Sequence, residues 1–187
     1  MKKDFGKICD SDLITLLKSD KSESEPAFAE LYSRYSQRVY AYCLRVTGHS
    51  DDAKDIFQES FVKFFNTAKD TKSKKIENVP AFVIVIARNI YLNYKRDKIV
   101  TYDIEDYNLS TNDVVNEKNE LQQVISSAIE LLDFEYREAF ILRQYQGLSY
   151  SEISEITGET IPTIKNRVWR AKEKLKTILQ PYLQNVM

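Results

Sequence analysis

The stretch LSYSEISEITGETIPTIKNRVWRAKEKL, residues 148–175, decides how the chain is read. Ile153 and Ile156 make the inner edge of a short helix, and Gly158 can take the positive φ needed where that helix stops. Ser149 followed three residues later by Glu152 is a capping-box pattern that opens it. Thr160 is placed to cap a second helix. Pro162 suits its first turn, where a missing N–H has no intrahelical partner to lose, and Ile164, Val168 and Ala171 or Leu175 repeat at helical spacing. Between these apolar positions stand Lys165, Arg167, Arg170, Lys172, Lys174 and Lys176, opposed only by Glu173. That is the layout of a helix-turn-helix whose second helix suits a DNA major groove. A solvated helix hairpin with a basic face has the same local pattern, so the rest of the chain must decide.

Upstream, EYREAFILRQYQG at 135–147 reads as a helix with Tyr136, Ala139, Phe140 and Leu142 or Arg143 inward, ended by Gly147. Before it, Leu121, Val124 or Ile125, Ala128 and Leu131 or Leu132 mark another amphipathic helix. Residues 97–112 lack a sustained apolar period and carry the acidic patch DIEDY, which makes them the domain boundary. Further back, the run FVIVIA at 82–87 has strand propensity, but helical spacing through Phe82, Val85 or Ile86, Ile90 and Tyr94 favours a buried helix. DDAKDIFQESFVKFF at 51–65 puts Ala53, Ile56, Phe57, Ser60, Phe61 and Phe64 on an inner stripe and leaves Asp52, Asp55, Gln58, Glu59 and Lys63 outside. A long helix from about Pro26 to Gly48 follows a polar turn at 19–25, and a short one with Leu13, Leu16 and Leu17 precedes it. The fold class is therefore all-α: two small helical domains, 1–98 and 120–187, joined by a polar linker at 99–119.

Length and composition fit this division. The 187 residues suffice for one large or two small domains, and a net charge of −1 means that any nucleic-acid contact must use local basic surfaces. Cys9 and Cys43 form no metal spacing and no disulfide framework, as in a reducing compartment, and the run 79–87 is too short to span a bilayer. These features place the protein in the cytoplasm. His49 is alone beside a turn, and the carboxylates make no convergent catalytic or metal-binding set, so neither an enzyme nor a metal or organic cofactor is expected. Trp169, a single tryptophan in an amphipathic helix, is expected to pack in the core or between domains.

In order and spacing, DDAKDIFQESFVKFF, then AFVIVIARNIYLNYKR at 81–96, then an acidic linker and REAFILRQYQGLSYSEISEITGETIPTIKNRVWRAKEKLK at 137–176 resemble a bacterial RNA polymerase sigma factor. The type is the compact extracytoplasmic-function one within the sigma-70 superfamily, and the resemblance covers most of the chain. It implies a promoter-recognition subunit whose partners are core RNA polymerase, promoter DNA as duplex and as opened strand, and an anti-sigma factor that the residues do not identify. Carried over by position, it gives Asp52, Asp55, Gln58 and Glu59 the polymerase-facing role. Arg88, Asn89, Asn93, Lys95, Arg96 and Lys98 take the minus-ten contact. Thr163, Lys165, Asn166, Arg167, Arg170 and Lys172 take the minus-thirty-five contact. Pro162 and the missing proline near LLDFEYREAF depart from the family pattern. A stand-alone helix-turn-helix regulator would explain residues 163–170 and leave the first domain unexplained.

Overall fold

In a computed structural model the described residues are 4–70, 76–101 and 120–184; side chains are described for these apart from 98–101, 120–122 and 183–184. All their regular structure is helical: a 3-10 turn at Phe5–Lys7, then α1 (Asp10–Leu16), α2 (Lys21–Thr47), α3 (Ser50–Lys69), α4 (Val79–Thr101), α5 (Glu120–Glu130), α6 (Phe134–Gln144), α7 (Tyr150–Thr157) and α8 (Ile161–Gln184). The helices form two compact units, one built on α1 to α4 and the other on α5 to α8, with Leu44–Ser50 grouped in the second.

In the first unit, α3 turns inward the stripe its sequence marks, with Ala53, Ile56, Ser60, Phe61 and Phe64 buried. Aromatic rings of α3 meet α2 edge to face: Tyr32 and Phe61 have ring centroids 4.8 Å apart, and Phe28 and the half-buried Phe65 also 4.8 Å. Such tilted contacts set the negative face of one ring against the positive edge of the next. The Arg34 guanidinium draws the N-terminal segment onto α2, donating to Asp10 Oδ1 at 2.8 Å, Glu30 Oε1 at 2.7 Å and the carbonyl of Ile8 at 2.9 Å. The Tyr35 hydroxyl donates to the other oxygen of Asp10. Burial, followed by this bond, pushes the Tyr35 phenol up to about 12.

Two expectations need correction here. No polar turn occupies 19–25, because Asp20 Oδ1 accepts the backbone N–H groups of Ser22 (3.0 Å) and Glu23 (3.2 Å) and starts α2 at Lys21. Pro26 therefore lies inside the helix, in its second turn, rather than at its start. In α4 the helix forms, but its buried face is Val83, Ile84, Ala87 and Ile90, while Phe82, Val85 and Ile86 are half-buried. The helix also runs to Thr101, past the expected boundary at 98, and residues 102–119 of the proposed linker lie outside the described residues.

In the second unit α8 packs on α6, α7 and α5, burying Ile164, Val168, Ala171 and Leu175 against Ala128, Ile129, Leu132, Ala139, Ile141, Leu142 and Ile153. Just past the end of α5, Leu132 is buried and Leu131 is 73% exposed; within it Val124 and Ile125 are both half-buried, and Leu121 lies outside the described side chains. In α6 the buried residues are Glu138, Ala139, Ile141 and Leu142; Tyr136, Phe140 and Arg143 are half-buried. No helix of the described residues is long and apolar enough to cross a membrane.

Candidate functional site

The helix-turn-helix is set by its ends. Ser149 Oγ accepts the Glu152 N–H at 3.2 Å and Glu152 Oε2 accepts the Ser149 N–H at 2.8 Å, closing the capping box of α7. Gly158 ends that helix at φ 75°, in the left-handed region where a Cβ would be strained. Thr160 Oγ1 then accepts the Thr163 N–H at 3.3 Å and opens α8, with Pro162 in its first turn.

Successive residues on a helix turn by about 100°, so burial of Ile164, Val168, Ala171 and Leu175 aims Pro162, Asn166, Trp169 and Glu173 away from the core. Lys165 and Arg170 flank that outward strip. All six are exposed. Arg170 Nε donates to Asn166 Oδ1 at 2.8 Å, which aligns a guanidinium and an amide side by side. Lys165 Nζ stands 5.7 Å from the Tyr150 ring centroid. Thr163 is half-buried, its hydroxyl 2.8 Å from that of Thr160.

Arg167 differs from its neighbours. Its side chain is only 16% exposed and lies 2.9 Å from Glu159 Oε1 in the turn and 3.0 Å from Glu135 Oε2 in the first turn of α6. A guanidinium held between two carboxylates ties α8 to the turn before it and to α6. Lys172 is exposed, whereas Lys174 donates to Asp133 Oδ2 at 2.5 Å, and that bond holds the Asp133 carboxyl below its ordinary range.

Trp169, expected to pack, stands on the exposed face of α8 instead. It is 61% exposed, in neither core. The signal was available: with Val168 on the buried stripe, the next residue must turn away by about 100°. Trp169 therefore stands between Lys165 and Asn166 one turn before it and Arg170 after it.

In α4 the six expected DNA contacts divide. Asn89, Asn93 and Arg96, spaced four and three apart, share one exposed strip opposite the buried face. Arg88 and Lys95 lie about a quarter turn or more away, Arg88 half-buried and Lys95 exposed. The Lys98 side chain lies outside the described residues. Tyr94 continues the core-facing stripe, and its hydroxyl donates to Asp52 Oδ1 at 2.6 Å.

That bond separates the four expected polymerase-facing residues of α3. Asp55, Gln58 and Glu59 are exposed, Glu59 with Lys63 Nζ at 2.7 Å, while Asp52 is half-buried toward α4. Val62, one turn beyond Gln58 and Glu59 and 60% exposed, adds an apolar centre to the outward strip that the sequence reading did not single out.

Comparison with known proteins accounts for both units. The model of Sigma-70 region 2 matches residues 31–99 and that of Sigma-70, region 4 matches residues 122–175. The chain is 28% identical over 172 residues to the ECF RNA polymerase sigma-E factor of Haemophilus influenzae, covering 84% of this chain and 89% of the relative. To the ECF RNA polymerase sigma factor SigW of Bacillus subtilis it is 27% identical over 180 residues, 88% of this chain and 95% of the relative. Among solved structures it is similar to the sigma factor RpoE from Bartonella quintana, in complex with the anti-sigma factor NepR, with a TM-score of 0.67 and 25% identity over 82% of this chain and 96% of that one. The fold also matches CnrH, solved in complex with the cytosolic domain of CnrY, with a TM-score of 0.65 and 19% identity over 92% and 97% of the two chains.

Proposed function

Because the chain belongs to the sigma-70 family and is of its extracytoplasmic-function type, we infer that it binds core RNA polymerase and directs initiation through two promoter contacts. The observation that carries this reading is the pairing of the two regions: apart from residues 44–50, region 2 falls on the first compact unit, and region 4 falls on the second, each with an exposed polar or cationic helix face.

The work divides by surface. In α8, Asn166, Trp169 and Arg170 reach base edges of duplex DNA near minus thirty-five, while Lys165 and Lys172 meet phosphates, which set position and affinity more than sequence preference. Thr163 braces the first turn, and Arg167 holds the helix at its working angle. In α4, Asn89 and Asn93 offer paired donors and acceptors to unstacked bases at minus ten, and Arg88, Lys95, Arg96 and Lys98 follow the opened strand. In α3, Asp55, Gln58, Glu59 and Val62 face polymerase as an apolar centre in an acidic rim.

RNA synthesis is the chemistry of polymerase, so the chain itself needs no catalytic group. It works in the cytoplasm, where polymerase and promoter meet. Like RpoE held by NepR, it is restrained by an anti-sigma factor.

Transcription by purified core polymerase with and without the chain, on a randomised promoter library, tests the reading. Chain-dependent transcripts sharing two sequence elements are the expected result. Duplex binding with no polymerase association would instead assign the stand-alone regulator, which leaves the region 2 unit without a role.

A further inference from the structure

Asp52 and Tyr94 lie on the two helices of the first unit that face different macromolecules, and a hydrogen bond of 2.6 Å joins them. We propose that this bond is a positioning link: through Asp52, the polymerase-facing helix α3 fixes the angle of the DNA-facing end of α4, so Asp52 acts on strand capture. The proposal rests on the sigma-factor reading above and adds to it a residue-level coupling between the two contacts.

Three observations support it. First, 2.6 Å lies in the range of a phenol donating to an ionised carboxylate, the stronger class of hydrogen bond, and both side chains are half-buried, which limits competition from water. Second, Val83, Ala87, Ile90 and Tyr94 are spaced four, three and four apart on one stripe. The first three are buried, and after Tyr94 the side chains of Lys95, Arg96 and Asp97 are all exposed. Tyr94 thus sits where the apolar anchorage of α4 gives way to its polar end. Asn93 and Arg96 lie within about 3 Å of it along the helix axis, from the rise of 1.5 Å per residue. A small rotation of α4 there redirects the strip that Asn89, Asn93 and Arg96 share. Third, Asp52 belongs to the first turn of α3, and the outward positions that follow it are Asp55, Gln58 and Glu59. A partner seated on those residues steadies the carboxylate that Tyr94 holds.

Tyr94→Phe removes one hydroxyl and keeps the ring, so it is the discriminating variant. It is compared with Asp52→Ala, the double variant and Glu59→Lys in the full chain. Three quantities are read: affinity for core polymerase, permanganate reactivity of promoter thymines at equal polymerase saturation, and amide hydrogen exchange of residues 88–97 in the free chain. Tyr94→Phe is expected to keep polymerase affinity within about twofold of wild type and to lower promoter opening on the order of five- to tenfold. Exchange at 88–97 should rise while α3 keeps its protection. The double variant should open promoters no worse than Asp52→Ala alone, the signature of one shared interaction.

Opening at the wild-type level in Tyr94→Phe, multiplicative loss in the double variant, or a loss of polymerase affinity matching that of Glu59→Lys would each overturn the link. Should the wild-type chain fail to bind polymerase at all, the functional reading fails. The exchange measurement still decides whether the bond holds α4, and unchanged protection in Tyr94→Phe overturns that too.

Discussion

Arg167 and Arg170 are both arginines of the reading helix, and their surroundings predict opposite phenotypes. The informative perturbation is methionine at each, which keeps an unbranched stem and removes only the guanidinium. At position 167 the loss is of two ion pairs, at 2.9 Å to Glu159 and 3.0 Å to Glu135, whose carboxylate side chains are 39% and 64% exposed. Partners so open to water place each pair in the surface range of about 0.2–1 kcal/mol, so Arg167→Met should destabilise the second unit by about 1 kcal/mol. For a unit of this size that lowers the melting temperature by roughly 4–8 °C. At position 170 the guanidinium is exposed and bonded to Asn166 Oδ1, with no carboxylate among its described hydrogen bonds and ion pairs. Arg170→Met should leave unfolding unchanged. It should cost a base contact worth about 1–3 kcal/mol, a loss of roughly 5- to 150-fold in preference for the cognate duplex. Thermal unfolding of the full chain, with fluorescence anisotropy on cognate and scrambled duplexes across a salt series in the polymerase-bound form, separates the two. The reasoning is refuted if Arg167→Met abolishes sequence preference while its unfolding curve overlies that of wild type. That outcome would make Arg167 a reader and its carboxylate partners incidental.

Trp169→Ala should shift stability by no more than about 0.5 kcal/mol, because the indole is 61% exposed, yet weaken duplex binding; a fall of several degrees in melting temperature would return the ring to a packing role. The chain should lose stability in strong alkali. Burial pushes the Cys43 thiol from an ordinary 9.0 up to about 12 and the Tyr35 phenol from 10.0 up to about 12, the latter with help from Asp10. Both raised values favour the neutral form in the folded state. Their stabilisation is therefore complete below pH 9 and is lost between pH 9 and 12. A urea midpoint that stays constant through pH 11.5 would contradict this, as would rapid titration of both cysteines by a thiol reagent in the native chain, where only Cys9 should react.

The elements most legible in the sequence are those where periodicity and end signals agree. In α3, the phase that buries Ala53, Ile56, Phe61 and Phe64 is the one that leaves Asp55, Gln58 and Glu59 exposed, so burial and polarity select the same rotation. In α7 and α8, Ser149, Gly158 and Thr160 mark ends whose hydrogen bonds and φ angle are those the residue types require. The run FVIVIA in α4 gives no such choice. With every position apolar, each rotation of the helix buries something suitable, and the selection of Val83, Ile84 and Ala87 over Phe82, Val85 and Ile86 comes from the surfaces of its neighbours. Pro26 misled for a related reason: a proline commonly marks a helix start, but Asp20 bonds the first amides six residues earlier and the helix tolerates the ring in its second turn.

The candidate site shows the same boundary between local and tertiary information. Residue type and spacing place cations and amides on α8 and α4, since helical phase is a local property. What each group is free to do depends on residues remote in the chain. Arg167 and Arg170 are three positions apart in one basic run, and it is the pairing of Arg167 with Glu159 and with Glu135 of α6 that sets their surroundings apart. Asp52 and Asp55 share an acidic turn, and the first is half-buried with a bond from Tyr94 of α4 while the second is exposed. Trp169 is the converse case, because the phase fixed by Val168 already turns it outward, and the habit of burying tryptophan had to yield to helix geometry. The proposed promoter-contact surface is thus specified twice: once by the pattern that puts polar groups on a helix, and again by carboxylates of neighbouring elements that engage some of them in ion pairs.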